Sequence, residues 1–326
     1  MKQPVSRLWY MNADFEMELA AASTGGVYRR PASFVEINRR LAAHFLWLAR
    51  PGDALLLDES PSMELALQAI ERGVELISNT HTTDQSHRVF TPWGWTKSAV
   101  MVGEKFSAMM CYPALETIAR VNSKLWSYQL ERELGVAVEG SACAATFDEL
   151  QAAISRACPN PEDKWVIKSP HGFAARERVL GRGAILEGAS ATWARRRFAQ
   201  HETLLFQPWL NVIREYGIAM NILPDGEVII EGISDLQTNG AGTGTGYILG
   251  RQPSAQRAAE LLNMAKIVGA RLFKEGYTGA TGMDALEHAG GLHPLLEINA
   301  RYTMGHVAVA IERALQPKTP VFWSMK

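Results

Sequence analysis

Cysteine is scarce in this chain. Cys111, Cys143 and Cys158 are the whole complement in 326 residues. They are widely spaced, with no CxxC pair and no histidine spacing to match, which argues against a disulfide framework or structural zinc site and for a reduced, cytoplasmic setting. Apolar runs are short, and none approaches the ~20 residues that span a bilayer. The opening MKQPVSRLWYMNADFEME carries acids too early for a signal peptide. No sign of charge dominates either. The net charge is −1, and the densest basic cluster, Arg195-Arg196-Arg197, is too short to mark a nucleic-acid or membrane partner. Internal repeats and low-complexity tracts are missing. So are a GxGxxG after the first strand and the spacing of a P-loop.

What remains is the composition of a soluble globular protein, 47% hydrophobic and 21% charged, long enough for two or three domains. Residues 1–115 alternate strand and helix signals. RLWYM is followed by a polar loop, then a helix from about Ser33, the short apolar run DALLLD, a helix over MELALQAIERG that stops at Gly73, and the strand VELIS. That alternation predicts an α/β domain on a parallel sheet. In PWGWTKSAV, Trp93 and Trp95 either line a substrate pocket or pack a domain edge. His81, His87 and Arg88 read as surface residues.

From Ala119 the character changes. Asn122 or Ser123 caps a helix over KLWSYQLEREL that ends at Gly135. Lys124 lies in its first turn, where a cation opposes the helix dipole. Either an anion compensates it or it reaches into water. A helix near TFDELQAAISRA precedes WVIK, a strand that delivers Lys168 to a loop of small residues, SPHGFAARERVLGRG. A lysine at a strand end beside such a loop can hold phosphate oxygens with backbone N–H groups; the alternative is a plain surface turn. TLLFQPWLN reads as a buried strand whose proline frees the backbone beyond Gln207 from ladder pairing. Next, REYGIAMNILPDGEVIIEGIS forms two strands joined by Pro224-Asp225-Gly226. TNGAGTGTGY at 238–247 cannot pack a core and reads as a mobile loop, a lid or a connector. Ser254 then caps a long helix.

The segment Gly279–His306, GATGMDALEHAGGLHPLLEINARYTMGH, reads as a β-hairpin with Gly290-Gly291 as its loop. In that register Asp284 faces Glu297, with Asn299 on the same face two residues on. Opposed carboxylates roughly 5 Å apart repel unless a cation joins them. Two carboxylates and an amide oxygen suit Mg²⁺. Exposed acids on a solvated hairpin are the other reading.

In this order the pieces, from Ala119 to Val309, resemble the ATP-grasp superfamily. The closest match is Glu297-Ile298-Asn299-Ala300-Arg301 with Asp284 upstream, similar to the family's closing metal signature. The resemblance implies an N-terminal α/β domain (1–115) followed by a two-subdomain ATP-grasp fold of the α+β type, with a small subdomain at 116–190 and a C-terminal one at 191–326. It implies that Lys124 and Lys168 bind ATP phosphates, with His171, Gly172 or Arg176 beside them in the covering loop. Gln207, Trp209 and Leu210 would form the adenine hinge, read by main-chain N–H and C=O groups, and Glu215 would contact ribose or flank the metal. Asp284, Glu297 and Asn299 would hold one or two Mg²⁺, with Mn²⁺ as a substitute. Arg301 would be catalytic, as in the biotin carboxylase branch. Three departures stand out. The covering loop lacks the fuller glycine-serine run, Gln207 replaces the commoner glutamate, and Gly282-Met283 stand where D-alanine–D-alanine ligases carry a catalytic arginine.

The implied activity is ATP-dependent carboxylate–amine ligation through an acyl phosphate, releasing ADP and phosphate. A kinase or carboxylase-type enzyme and a non-catalytic ATP-binding module are the alternatives. The implied partners are a small carboxylate and an amine, with no nucleic acid and no membrane; a homodimer is compatible. His306 lies near the metal residues in sequence and reads as structural.

Overall fold

The computed structural model describes residues 5–172 and 177–325. The chain opens with β1 (Arg7–Tyr10), α1 (Phe15–Ser23), α2 (Ala32–Ala42) with a 3₁₀ turn over Ala43–Trp47, β2 (Ala54–Leu57), α3 (Met63–Glu71), β3 (Glu75–Ser78), β4 (Val89–Pro92) and α4 (Lys97–Lys105). The strands form a parallel sheet in the order β3-β2-β1-β4. Its centre is buried on both faces, which is why Ala54–Leu57 reads as an unbroken apolar run. The polar loop expected after β1 contains α1, and the stretch holding the tryptophans is β4 leading into α4. Arg88, expected at the surface, is buried and paired with Glu75.

Helices α5 (Leu115–Val121) and α6 (Lys124–Glu133) follow. Ser123 Oγ caps α6 by accepting from Leu125 N, and Gly135 takes the positive φ beyond its end. Next come β5 (Ala142–Ala144), α7 (Phe147–Ala157), β6 (Lys164–Lys168), β7 (Arg178–Arg182), α8 (Gly188–Phe198) and β8 (Leu204–Pro208). Here the strands make a small antiparallel sheet, β5-β8-β6-β7. It has its own core of Leu150, Ile154, Trp165, Ile167, Leu204 and Phe206. β8 lies beyond the expected boundary at 190/191 yet pairs with β6, so this sheet closes at Pro208. Ile118, Val121 and Leu130 of α5 and α6 instead pack with Ile218 and Met283 in the large core. The C-terminal third of the expected covering loop is β7, where a Cβ on Gly181 would fall 2.1 Å from the Trp165 ring.

The remaining elements are β9 (Val212–Ile222), β10 (Val228–Thr238), β11 (Gly244–Leu249), α9 (Ala255–Lys274), β12 (Gly279–His288), β13 (Gly291–Asn299), α10 (Met304–Leu315) and β14 (Val321–Ser324). They build a large antiparallel sheet, β13-β12-β9-β10-β11-β14. Half of the glycine-rich segment expected as a mobile loop joins it, since Thr238 ends β10 and Gly244–Leu249 is β11, leaving the hairpin tip at 239–243. Gly246 lies against β14, where a Cβ would meet the Trp323 carbonyl at 2.3 Å.

The β12–β13 hairpin turns one residue earlier than expected, with His288 opposite Gly291. Continued unbroken, that register would set Asp284 against Leu295. Between the Leu286–His293 and Asp284–Glu297 pairs, however, Ala285 faces Pro294, Leu295 and Leu296, an irregularity that restores the carboxylate pairing. Pro294 has no N–H to give a ladder there. No helix among the described residues is long and apolar enough to cross a membrane.

Candidate functional site

A cleft of about 370 Å³ lies between the small and large sheets, and the N-terminal unit closes one end of it. Each wall contributes charge for a local reason. Lys124 starts α6 and so lies where the helix's free N–H groups point. Its Nζ forms an ion pair with Glu297 Oε1 at 2.8 Å and also donates to the Gly172 carbonyl at 3.3 Å. The anion that offsets the lysine at the helix start is therefore Glu297 of β13. Burial pushes the Lys124 ammonium down, but Glu297 and Glu16 outweigh it and hold the group above its ordinary value.

Lys168 ends β6 and donates to Gln207 Oε1 on the neighbouring β8 at 2.8 Å. Burial lowers its pKa. Gly172 lines the cleft. His171 is buried with no hydrogen-bond partner for Nδ1 among the described residues, and burial, then Lys124, hold it down to about 4. It is therefore a neutral neighbour of Lys124 at pH 7. Arg176 and the rest of 173–176 lie outside the described residues.

The hinge differs from expectation in one respect. Trp209 N–H donates to the Lys164 carbonyl at 2.8 Å, because the β6–β8 pairing continues past Pro208. That N–H is committed to the ladder and cannot read a base. Gln207, Trp209 and Leu210 do line a recess of about 90 Å³ that includes Val138, Val166 and Leu296. An apolar recess of this kind accepts a flat ring.

At the cleft floor Asp284 faces Glu297 across the ladder and Gly217 across the other edge. Asn299 Nδ2 donates to Asp284 Oδ2 at 3.0 Å. Burial, reinforced by Glu297, pushes the Asp284 carboxyl up to about 7. Burial also works against Glu297, but Lys124 and Lys168 overcome it and hold that carboxyl below its ordinary value. Two opposed carboxylates of which only one is compensated favour an added cation, and their oxygens are donors suited to a hard ion. Among the described residues no group of three or more His, Cys, Asp and Glu side chains assembles, so Asn299 would be the third donor. Glu215 accepts from Thr238 Oγ1 at 2.5 Å, and burial raises its pKa.

Arg301 lies on the far side of Asn299. Its Nε and Nη2 donate to Glu16 Oε1 at 3.0 and 2.5 Å, Nη2 also to Asn299 Oδ1 at 3.0 Å, and Nη1 to the Tyr302 carbonyl at 2.9 Å. Four of the five guanidinium N–H groups are thus engaged. His306 is structural: it is buried, and its Nδ1 accepts from Thr303 N to cap α10.

Several lining residues escaped the sequence reading. Arg178 of β7 reaches over the cleft to the Ala241 carbonyl in the β10–β11 turn. Thr238 is a cleft residue too, and of the two tryptophans offered as pocket or domain-edge residues Trp93 lines the cleft. Glu16 belongs to the missed α1; Asp14 followed by Glu16 and Glu18 is a helix-start signal that could have revealed it.

No protein-family model matches the chain, and no curated protein does. Among solved structures, biotin carboxylase from Campylobacter jejuni in a β,γ-ATP complex is similar at TM-score 0.59 and 15% identity, over 85% of this chain and 65% of that one. The biotin carboxylase domain of Hydrogenobacter thermophilus 2-oxoglutarate carboxylase, solved with MgADP, ADP and bicarbonate, gives 0.53 and 16%, over 97% and 71%. N5-carboxyaminoimidazole synthetase from Staphylococcus aureus with ADP gives 0.52 and 10%, over 94% and 76%. All three are ATP-grasp proteins, and the fold of this chain is the ATP-grasp fold.

Proposed function

We propose that the chain is an ATP-dependent ligase that joins a small carboxylate to an amine, releasing ADP and phosphate. One observation carries this reading. Lys124, Lys168 and the opposed Asp284–Glu297 pair come from four separate elements and meet in one cleft, with an apolar recess at its edge. A nucleoside triphosphate has the matching chemistry, a flat base joined to a polyanion. The similar structures bind adenine nucleotides, as their names state.

In this reading the recess at Gln207, Trp209 and Leu210 takes the base, and Glu215 faces the ribose. Lys124 and Lys168 meet the phosphates, and Gly172 approaches them with its backbone. Asp284, Glu297 and Asn299 would hold Mg²⁺, one ion or two, with Mn²⁺ as a substitute; bound there, the ion supplies charge neutralisation to the phosphate oxygens. Lys124 exchanges Glu297 for a phosphate when nucleotide enters, leaving that carboxylate to the metal. The γ-phosphoryl group passes to the substrate carboxylate, and the acyl phosphate so formed is attacked by the amine, with phosphate leaving. The remaining Nη1–H of Arg301 is the donor for the developing oxyanion. The apolar walls around the cleft keep water from the acyl phosphate.

ADP release by the purified chain tests the proposal against carboxylic acids, amines and bicarbonate, singly and combined. Release that needs an acid together with an amine is expected. Release with a single acceptor would make the chain a kinase, and bicarbonate as the required acid would make it a carboxylase-type enzyme. Nucleotide binding without turnover on any mixture would make it a binding module.

A further inference from the structure

At the end of the cleft away from the nucleotide recess, much of the wall is apolar. Leu41, Trp93, Tyr247 and Met304 line it, and Glu16 projects from α1. Glu16 is only 5% exposed. One carboxylate oxygen, Oε1, takes both bonds from Arg301. The other, Oε2, is buried with no hydrogen-bond partner among the described residues. A buried carboxylate oxygen without a donor is costly, and such groups in native folds call for an explanation.

The explanation must match the charge of this wall. The cleft cations are Lys124, Lys168, Arg178 and Arg301. The first three face the nucleotide side, and Arg301 is already neutralised by Glu16. No surplus positive charge among the described residues is left to hold a phosphate or a carboxylate on the acceptor. A positively charged N–H donor would satisfy Oε2, and an aliphatic or aromatic body would rest on Trp93 and Met304. We infer that Glu16 binds the ammonium group of the acceptor, so that the acceptor is a primary amine with an apolar body and no anionic group near the nitrogen.

This rests on the ligase reading above and narrows it. It also gives the Glu16–Arg301 pair a role in ordering the reaction. An ammonium drawn to Glu16 competes with the guanidinium for the carboxylate and loosens Arg301 toward the carboxyl group being activated. Glu16 is then the residue that determines specificity for the acceptor.

Two measurements separate this inference from the reading beneath it. The first is calorimetric titration of isobutylammonium, phenethylammonium and O-phosphoethanolamine into the chain loaded with Mg²⁺ and a non-hydrolysable ATP analogue. One or both apolar ammonium ions should bind and the phosphorylated one should not. Glu16→Gln should weaken that binding at least tenfold while nucleotide affinity stays within twofold, and Glu16→Asp, which keeps the charge, should recover part of it. Failure of both apolar ammonium ions to bind, equal binding by Glu16→Gln, or a preference for O-phosphoethanolamine would overturn the inference. The second is ATP-dependent hydroxamate formation from a pool of carboxylic acids and hydroxylamine, which traps acyl phosphates without an amine site. Wild type should form hydroxamate with no other amine present, and the better-binding apolar ammonium ion should suppress it as the acyl group passes to that amine instead. Undiminished hydroxamate in the presence of that ion would also overturn the inference, whereas no hydroxamate at all would instead remove the ligase reading.

Discussion

Lys168 gives its ammonium to the Gln207 amide oxygen, whereas Lys124 gives its own to the Glu297 carboxylate at 2.8 Å. Removing the two should therefore have different consequences. Lys168→Met deletes a buried cation whose charged form burial already disfavours. It should weaken nucleotide binding by roughly tenfold or more while costing under about 1 kcal/mol of stability. Lys124→Met leaves Glu297 uncompensated and should lower stability by about 3 kcal/mol as well. Nucleotide titration and urea unfolding of both variants check this, and an unchanged nucleotide affinity in Lys168→Met would take β6 out of the site. A second pair makes a prediction about pH. Glu131 of α6 and His293 of β13 are both buried, 3.6 Å apart. Burial pushes the Glu131 carboxyl up to about 8 and holds the His293 imidazole down to about 4. The folded chain keeps the Glu131 proton from the ordinary carboxylate value of 4.5 up to about 8, whereas the unfolded chain releases it, so stability falls as pH rises through that window. His293 acts in the opposite sense: neutral when folded but protonated when unfolded, it costs stability as pH falls from 6.5 toward 4. Glu131→Gln removes the first effect. Relative to wild type it should gain on the order of 3 kcal/mol between pH 5 and pH 8. Parallel unfolding profiles for the two proteins would contradict that account.

Among the elements, α1 links the N-terminal unit to the site. Phe15 packs on Gly94 so closely that a Cβ there would fall 2.3 Å from its ring, and the next residue of the helix is Glu16. Gly94→Ala must therefore push α1 away. We expect a loss of about 1–3 kcal/mol, the usual cost of overpacking, together with a raised KM for the amine. An unfolding midpoint and amine KM equal to wild type would show that the contact is soft. α1 was hidden in the sequence because its apolar residues do not gather on one face and its binding contact lies far away: Glu16 meets Arg301 across 285 positions. Other features could be read directly. Ser123, Lys124 and Gly135 mark both ends of α6 by local chemistry, and the Asp284–Glu297 pairing followed from a turn placed one residue late, which the irregularity at Pro294 offsets. The bulge at Pro294 was not legible, because loop length and register are separate quantities and only the first has a glycine signal. The Trp209 N–H was misjudged for a similar reason, since its partner Lys164 is set by how β6 and β8 align.

Across the whole molecule, the cores show which parts act together. Phe15 and Leu19 share a cluster with the large sheet, and Trp9 and Phe45 share another with Tyr247, Val307 and Ile311. The N-terminal unit and the large sheet are thus joined by buried apolar contacts, while the small sheet packs around a core of its own. A nucleotide between the two sheets would bridge lobes that do not otherwise share a core, with the acceptor entering from the side built by the joined pair. In the proposed reaction the nucleotide and the acceptor communicate through an activated carboxyl group. The acyl phosphate is therefore the central claim. Turnover with a carboxylic acid labelled with ¹⁸O at both carboxyl oxygens, an amine and MgATP, followed by mass analysis of the released phosphate, tests it most directly. The account predicts one ¹⁸O in each phosphate, the other in the amide, ADP as the nucleotide product, and neither phosphate nor amide from Glu297→Gln. Unlabelled phosphate, or the label in AMP, would contradict it.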